Sequence, residues 1–311
     1  MDVDSTPVLK AVIVEGALIF PPHTDPNHKR SFDARYIMVK GGYFEAGTEE
    51  FPYTSKLTIT MHSNVSDPYL PIYGNKVLAI RFGQLEMHGV KRNPEWTSMD
   101  ITAKAGATEI TLIEKVDWQA GEFIVIASTS FEGRDAEKRE IKSVDNSNPD
   151  KPVITLVKAL EKKHFAGLEP VGTTGDTIEM RAEVGLLTRN IVYRGDPETS
   201  AKNKYGAHIM LHSPGDESSI GRIEYVELTD VGQAFKLGRY PLHFHMIGTV
   251  HKSYVRGNAI HQTYNRAITI HGVHYFRVIR NVAYDTMGHT VFIEDAAETK
   301  CLIDGNLIIQ T

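Results

Sequence analysis

Four short segments in the last third of the chain share one pattern: Ala207-His-Ile-Met-Leu-His-Ser213, Pro241-Leu-His-Phe-His-Met-Ile247, Ala267-Ile-Thr-Ile-His-Gly-Val273 and Thr290-Val-Phe-Ile-Glu-Asp-Ala296. When they are aligned, two columns are apolar throughout, namely Ile209, Leu242, Ile268 and Val291, and Leu211, Phe244, Ile270 and Ile293. The next column holds His212, His245, His271 and Glu294. Side chains alternate between the two faces of a strand, so the His/Glu column faces away from the apolar columns. A repeated strand with one apolar face is typical of a solenoid, and it predicts a row of imidazoles about 4.8 Å apart that ends in a carboxylate.

A second repeated position carries asparagine. Asn190, Asn258, Asn281 and Asn306 each follow an apolar residue by three positions, and the last three are 23 and 25 residues apart (258 to 281, 281 to 306). This spacing suits one coil of a parallel β-helix, in which short strands alternate with turns. Asparagine tolerates the left-handed backbone of such corners, and stacked amides can hydrogen-bond from coil to coil. We therefore expect an asparagine ladder.

The rest of the chain divides into two kinds of sequence. The segments beginning at Val12, Ile37 and Leu78 each read as an apolar strand, a glycine bend and a second strand, which indicates further coils. Residues 99–183 break this rhythm and contain ordinary strand patterns around residues 110–118, 121–127 and 153–157. We interpret them as an inserted β-barrel-like module between residues 1–98 and the β-helix repeats of residues 184–311. No segment has a clear helical period, and the pattern over Val157–Phe165 is too short to predict a helix.

Composition excludes several classes of protein. Of the 311 residues, 41% are hydrophobic and 23% are charged, which is ordinary for a folded domain and unlike a disordered chain. The net charge of −5 gives no basic field, so we predict no nucleic-acid partner. No apolar run approaches the roughly 20 residues of a transmembrane helix, so no membrane span is predicted in this chain. The single cysteine, Cys301, permits no internal disulfide. Residues 303–311 begin a further repeat and stop inside it, which favours a segment of a longer protein.

The His/Glu column, with His243 and Asp295 beside it, is the best candidate site. Neutral imidazoles at strand spacing suit a divalent metal ion, with His212, His245 and His271 as the predicted ligands. The same side chains suit acid–base chemistry on a glycosidic bond, with Glu294, Asp295, His245 and His271 as the predicted catalytic residues. The alternative is a polar ladder that only stabilises the outer face of the coils.

Aromatic and basic side chains lie near the same strands. The predicted substrate-binding residues are Arg239, Tyr240, His243, Tyr264, Arg266 and His289. Arginine pairs with carboxylates and tyrosine stacks on sugar rings, so the set suits a polyanionic sugar chain. The alternative is that Arg266 forms a structural ion pair with Asp285 or Glu294.

The motifs together carry a resemblance to a known family. The chain resembles the G8-domain and parallel β-helix family that includes the fibrocystins and hyaluronan-processing proteins, and most of all its fibrocystin-L branch. The motifs are Gly41-Gly42, Ala46-Gly-Thr-Glu-Glu50, Tyr73-Gly-Asn-Lys76, Asp117-Trp-Gln-Ala-Gly-Glu122, Tyr240-Pro-Leu-His-Phe-His245, Tyr264-Asn-Arg-Ala-Ile-Thr-Ile-His271 and Phe292-Ile-Glu-Asp295. The resemblance implies an all-β, right-handed parallel β-helix of the pectin-lyase-like kind, with the G8 domain over residues 1–98. It also implies a cell-surface or extracellular place within a longer membrane-anchored protein.

Two functions follow from these observations. The first is recognition of an extended polysaccharide or cell-surface glycan such as hyaluronan, with glycosidic cleavage as a sharper form. In that form Glu294 or Asp295 is the acid–base group and Arg266 holds a sugar carboxylate. The second is a structural or adhesive module of a large ciliary or cell-coat receptor, in which the polar ladders serve only stability.

Overall fold

The first part of the chain is built from short strands separated by corners. A computed structural model describes Met1 and residues 3–311, so Asp2 lies outside the described residues. The strands up to residue 91 are β1 (Val12–Val14), β2 (Ala17–Ile19), β3 (Lys29–Ala34), β4 (Tyr36–Lys40), β5 (Tyr43–Ala46), β6 (Lys56–Met61), β7 (Val77–Arg81) and β8 (Gln84–His88).

The middle of the chain contains antiparallel strands. They are β9 (Trp96–Ser98), β10 (Glu109–Thr111), β11 (Phe123–Ile126), β12 (Glu137–Asp145), β13 (Val153–Leu156), β14 (Leu168–Val171), β15 (Asp176–Glu179) and β16 (Glu183–Leu186). A 3-10 turn, Gly133–Asp135, precedes β12.

The last part of the chain returns to short strands. They are β17 (Ile191–Gly195), β18 (His208–His212), β19 (Ile220–Glu224), β20 (Val226–Val231), β21 (Leu242–Thr249), β22 (Tyr254–Arg256), β23 (Ala259–Thr263), β24 (Ile268–His274), β25 (Arg277–Ile279), β26 (Val282–Thr286), β27 (Val291–Ile293), β28 (Leu302–Asp304) and β29 (Leu307–Ile309). One α-helix, α1 (Pro197–Asn203), lies between β17 and β18.

Three parallel sheets form the walls of a β-helix. Their orders are β1-β4-β7-β18-β21-β24-β27, β2-β5-β8-β19-β22-β25-β28 and β3-β6-β17-β20-β23-β26. Each coil contributes one strand to each of the three walls, so the chain turns three times per coil and each coil stacks on the one before. The coil β6-β7-β8 is followed in the stack by β17-β18-β19, although residues 92–188 separate them in sequence. The all-β parallel β-helix predicted from the sequence is confirmed.

The apolar columns read from the sequence are the core of this β-helix. Ile209 pairs with Leu242, Leu242 with Ile268 and Ile268 with Val291, and the Leu211, Phe244, Ile270 and Ile293 column pairs in the same register. Most of these side chains are fully buried, and Phe244 also packs on Phe276 with ring centroids 4.2 Å apart. Ile293 in the last of the four strands is 42% exposed. Removing such apolar area from water, at about 25 cal/mol per Å², holds the coils together.

Asparagines join three successive coils at one corner. The Asn281 side-chain oxygen accepts from the backbone N–H of Asn258 at 3.0 Å, and the Asn306 side-chain oxygen accepts from the backbone N–H of Asn281 at 2.9 Å. Asn190 is not part of this ladder. Its neighbour Ile191 pairs with Val226, so the amide of Asn190 instead accepts from the N–H of Val90 and donates to the carbonyls of Tyr53 and Ser55.

The contacts divide the chain into two compact units, residues 1–91, 189–306 and Thr311, and residues 92–188 with 307–310. The main sheet of the second unit is antiparallel, in the order β10-β13-β12-β11-β16-β9. The N–H of Asp100 donates to the carbonyl of Thr111 at 2.8 Å, and that of Ile113 donates to the carbonyl of Ser98 at 3.1 Å. These bonds join the two edges of the sheet, so it closes on itself as a barrel-like module around its own apolar core, which includes Leu112, Trp118, Ile124 and Ile154.

The short pattern over Val157–Phe165 forms no helix. The segment contains bends and a bridge between His164 and Ala103. The helix is α1 instead, and its start follows the usual rules: the Asp196 side chain accepts from the N–H of Glu198, and Pro197 occupies the first turn. Among the described residues, no helix is long and apolar enough to cross a membrane.

Candidate functional site

The predicted file of imidazoles exists on the outer face of the wall formed by β18, β21, β24 and β27. His212 pairs with His245 and His245 pairs with His271 in the parallel register. The ring centroids are 5.2 Å apart for the first pair and 4.5 Å for the second. Glu294 follows β27, and its backbone N–H donates to the carbonyl of Ile270 at 3.0 Å, which continues the file.

Three imidazole nitrogens converge at one point of this face. His245 Nδ1 lies 2.9 Å from His271 Nδ1, and His243 Nε2 lies 3.4 Å from the same atom. The three nitrogens all lie within 4.8 Å of one another. Glu294 Oε2 adds a carboxylate oxygen, 3.3 Å from His271 Nδ1 and 3.9 Å from His243 Nε2. We call these four side chains the histidine–glutamate cluster.

The outward atoms of the cluster have their own partners. His243 Nδ1 lies 3.1 Å from the carbonyl of Gly238, and His271 Nε2 lies 3.2 Å from Asp295 Oδ2. A carbonyl or carboxylate accepts only, so each of these two ring nitrogens carries a proton, and the other nitrogen of each ring points to the centre of the cluster. The Tyr240 hydroxyl donates to Glu294 Oε1 at 3.2 Å. The cluster is therefore held in orientation by a surrounding layer of hydrogen bonds.

Two imidazoles of the cluster, those of His243 and His245, are neutral at ordinary pH. Burial lowers the pKa of His245 to about 4, and the neighbouring His271 and His212 act in the same direction. Burial also holds the pKa of His243, whose residue is 1% exposed, well below its ordinary value. Neutral imidazole is the form that ligates a metal ion, and it is also the form that can accept a proton.

His212 belongs to the file but not to the cluster. Its Nδ1 faces the Tyr73 hydroxyl at 3.3 Å, and burial lowers its pKa. The sequence predicted His212, His245 and His271 as metal ligands. In the structure the nitrogens that meet belong to His243, His245 and His271, so His243 takes the place of His212. The physical reason is that His243 and His245, two positions apart in β21, share the outer face, and both rings reach toward His271.

The groove beside the cluster contains several of the predicted binding residues. It has a volume of about 530 Å³, and Tyr240, Tyr264, Arg266 and His289 line it. The Arg266 guanidinium lies 3.9 Å from the centroid of the Phe292 ring, and its Nη1 donates to the Tyr240 hydroxyl at 2.9 Å. Within the described residues Arg266 forms no ion pair with Glu294, because the ring of Phe292 and the hydroxyl of Tyr240 engage its guanidinium instead.

The predicted binding residues differ in how far they are open to a ligand. His289 is exposed, whereas Tyr240 is 1% exposed and forms a buried wall. The hydroxyl of Tyr264 donates to Asp230 Oδ1 at 2.7 Å. Arg239 does not line the groove: its side chain packs on Gly74, where an added Cβ would lie 2.4 Å from Nε. His243 is enclosed within the cluster, and Asp295 remains about half exposed beside it.

Sequence reasoning missed two apolar residues at the groove. Phe235 is 92% exposed and Leu237 is 79% exposed, and both line it. Their signal in the sequence is Gln233-Ala-Phe-Lys-Leu-Gly238, where two large apolar residues occur in a segment without a strand pattern. Exposed apolar side chains next to polar ones mark interaction sites.

The comparison with protein families supports the fold and the site wall. Residues 1–100 match the G8 domain family, and residues 204–311 match the CEMIP beta-helix family. One part of the chain therefore matches a G8 domain and another matches a CEMIP-type β-helix. The resemblance predicted from the sequence is thereby confirmed, and the G8 and CEMIP-type segments both lie in the first compact unit apart from a few residues at their ends.

The G8/CEMIP-type chain is similar to individual proteins over nearly all its length. It is 40% identical to fibrocystin-L of Mus musculus and 38% identical to fibrocystin-L of Homo sapiens, each over 98% of this chain. It spans 8% of the length of each of these relatives. The tailspike protein gp49 of Pseudomonas phage LKA1 aligns with 96% of this chain and 45% of its own, at 12% identity and a TM-score of 0.26, a similarity too low to carry an argument.

Proposed function

We propose that this module binds an extended, acidic polysaccharide of the hyaluronan class along the groove. The observation that carries the proposal is the composition of the groove, in which an arginine, an exposed histidine and exposed apolar side chains line one open volume of about 530 Å³. This volume is within the range of ordinary small-ligand sites, which suits a short stretch of a long sugar chain.

Each lining group suits one part of such a polymer. Only one N–H of Arg266 donates to a protein acceptor within the described residues, so the other N–H groups can pair with a sugar carboxylate. The ring of Phe235 offers an apolar surface for the C–H face of a sugar. Tyr264 and Asn265 also line the groove and offer polar atoms for hydroxyl groups.

The match to the CEMIP beta-helix family supports the same substrate class. The CEMIP-type β-helix match includes the strands that build the groove, and the resemblance to hyaluronan-processing proteins favours a glycan outside the cell. An extracellular or cell-surface place within a longer protein is part of the proposal.

Cleavage of the glycosidic bond remains a prediction from the sequence. Glu294 and Asp295 both contact His271, at 3.3 Å and 3.2 Å, so a carboxylate acting as acid or base would do so through or beside that imidazole. Incubating hyaluronan with the protein and measuring polymer size, with and without a chelator, tests cleavage separately from binding.

A binding experiment with matched sugars tests the proposal. Hyaluronan oligosaccharides are titrated against the protein in a calorimeter, beside chitin-derived oligosaccharides of the same length that lack carboxylates. Wild type is expected to bind the acidic oligosaccharide, and Arg266→Ala is expected to weaken binding roughly tenfold or more, as loss of a charge-assisted hydrogen bond does.

Arg277→Ala is the control variant. Arg277 also lies over an aromatic ring, 5.1 Å from the centroid of Tyr254, but on β25 in another wall. Binding by Arg277→Ala should equal that of wild type. Equal binding of both sugars, or undiminished binding by Arg266→Ala, contradicts the proposed site. No binding of either sugar favours the structural or adhesive module.

A further inference from the structure

We propose that the histidine–glutamate cluster is a binding site for one divalent transition metal ion of the zinc class. The ligands are His243 Nε2, His245 Nδ1, His271 Nδ1 and Glu294 Oε2. This set comes from where the atoms meet in space, and it requires no glycan in the groove.

Four of the six distances among these atoms are close to those of a tetrahedral site. Zinc–nitrogen and zinc–oxygen bonds of about 2.0–2.2 Å place neighbouring tetrahedral ligands about 3.3–3.6 Å apart. The distances from His271 Nδ1 to His245 Nδ1, Glu294 Oε2 and His243 Nε2 are 2.9, 3.3 and 3.4 Å. Glu294 Oε2 and His243 Nε2 are 3.9 Å apart. The three histidines alone have ligand atoms that all lie within 4.8 Å of one another, so the Glu294 side chain would shift toward His245 to complete the set.

The orientation of the rings is the second line of argument. The Gly238 carbonyl and the Asp295 carboxylate engage the outer nitrogens of His243 and His271, so the other nitrogen of each ring points to the centre of the cluster. Glu294 Oε2 is buried there and has no hydrogen-bond partner among the described residues. A cation at the centre would satisfy this oxygen, whereas a buried polar atom without a partner is costly.

The side chains of the cluster have the hydrogen-bonding partners that metal ligands normally have. An imidazole that binds a metal usually donates its other N–H to a carboxylate or a backbone carbonyl, as His271 and His243 do here. Glu294 is likewise oriented by the Tyr240 hydroxyl at 3.2 Å. Three nitrogens and one carboxylate oxygen favour zinc and its neighbours, while calcium prefers six to eight oxygen ligands.

Four protein ligands indicate a structural role. Catalytic zinc sites usually keep a position open for water, whereas closed four-ligand sites stabilise the fold. Here the ligands come from β21, β24 and the residue after β27, which belong to three successive coils. The bound ion would cross-link these coils on their outer face.

A metal titration of the whole protein tests the site. The protein is dialysed against a chelator and then titrated with Zn²⁺ against a chromophoric competitor, with Ca²⁺ as a parallel titrant and the thermal midpoint recorded in each state. One Zn²⁺ per chain and a raised midpoint are expected, with no comparable response to Ca²⁺. Co²⁺ in place of Zn²⁺ should give the visible absorption of a tetrahedral complex.

Variants separate the ligand set from its neighbours. His271→Ala and Glu294→Gln are expected to weaken Zn²⁺ binding by roughly 100-fold or more, since the outer hydrogen-bonding partners of ligands alone contribute about 10–100-fold. His212→Ala, which removes the neighbouring imidazole of the same file, should keep one Zn²⁺ per chain. Glu294→Gln preserves side-chain volume, so its far-UV circular dichroism should remain that of wild type. Absence of Zn²⁺ binding by wild type, or equal Zn²⁺ binding by Glu294→Gln and wild type, overturns the inference, and neither result concerns the sugar groove.

Discussion

The hydroxyl of Tyr240 joins the two candidate sites. It accepts from Arg266 Nη1 at 2.9 Å on the groove side and donates to Glu294 Oε1 at 3.2 Å on the cluster side. Burial raises the pKa of this hydroxyl, so it keeps its proton at ordinary pH. Tyr240 is therefore a positioning residue for both the guanidinium and the carboxylate.

Tyr240→Phe should affect the metal site without removing a ligand. We expect the loss of these hydrogen bonds to destabilise the protein by about 1–3 kcal/mol and to weaken Zn²⁺ binding by roughly tenfold. Urea unfolding and the competitive metal titration measure the two effects. Tyr264→Phe is the matched control, because it also loses one tyrosine hydrogen bond at the groove, to Asp230, while leaving the cluster intact. Identical Zn²⁺ affinities for the two variants would contradict the role of Tyr240.

Buried histidines make stability depend on pH. His88 is 1% exposed; its Nε2 lies 2.9 Å from the Tyr254 hydroxyl, and burial lowers its pKa to about 4. The unfolded chain binds this proton near pH 6.5, so the folded state is favoured fully above that pH. The contribution is lost as the pH falls from about 6.5 toward about 4.

His88→Gln should flatten this pH dependence. Between pH 7 and pH 5, His88 alone is expected to lower the unfolding free energy of wild type by roughly 2 kcal/mol. The unfolding free energy of His88→Gln should therefore fall about 2 kcal/mol less than that of wild type over the same pH range. Urea unfolding at a series of pH values measures it. His251→Gln, which changes an exposed histidine, should retain the wild-type slope. A His88→Gln slope as steep as that of wild type would show that His88 does not titrate on unfolding.

The sequence predicted the position of the imidazoles better than their contacts. The period of two fixed the register of His212, His245 and His271, and the pairing of the strands agrees. It did not show that the ring of His243 would turn toward His271, because that depends on the Gly238 carbonyl, five residues away and outside the strand. Nor could the sequence show that Arg239 would pack on Gly74, since that contact joins residues far apart in the chain.

At the scale of elements, the corners of the β-helix depend on amides as much as the walls depend on apolar packing. The Asn281 amide donates to the carbonyl of Val255 and to the Asn306 side-chain oxygen, and its oxygen accepts from Asn258. Asn281 is 2% exposed, so no water replaces these partners if the amide is removed. The ladder was predictable because its spacing equals one coil. The exclusion of Asn190 from the ladder was not predictable, because the sequence spacing does not reveal that Asn190 is offset by one residue at the corner.

Asn281→Ala should open the ladder. It leaves the buried N–H of Asn258 and the carbonyl of Val255 without their side-chain partner, so we expect a loss of about 2–4 kcal/mol in unfolding free energy. Chemical denaturation followed by circular dichroism measures the loss. Asn27→Ala, at an exposed turn, should change stability by less than about 0.5 kcal/mol. Similar stabilities for the two variants would mean that the ladder contributes little.

At the scale of the whole molecule, each of the two compact units has a large apolar core of its own. One fills the β-helix, and the other lies within residues 92–188, where every strand of the closed antiparallel sheet is found. The Trp118 indole N–H donates to the carbonyl of Pro94 at 2.8 Å inside this second core. Residues 92–188, which are all of this unit except residues 307–310, form a continuous stretch with a core of its own, and such a stretch has what it needs to fold alone.

A fragment of residues 92–188 should therefore fold by itself. We expect a β-type circular dichroism spectrum, a cooperative urea transition and a blue-shifted tryptophan emission from the buried Trp118 and the half-buried Trp96. Leu112→Ala is the comparison variant, since it removes a fully buried side chain and should cost about 2–5 kcal/mol. A fragment that unfolds without cooperativity, or that shows emission at the wavelength of exposed tryptophan, would contradict the prediction.

The pairing of β6 with β17 sets a delay during biosynthesis. Leu57 of β6 pairs with Ile191 of β17, and the ribosome must translate the 97 residues from 92 to 188 before β17 is available for this pairing. At roughly 5–20 residues per second the ribosome takes about 5–20 s to supply them. For that interval the first coils present an unpaired strand edge to the cytosol or to the translocation channel, which makes this stage of the nascent chain the one most in need of a chaperone.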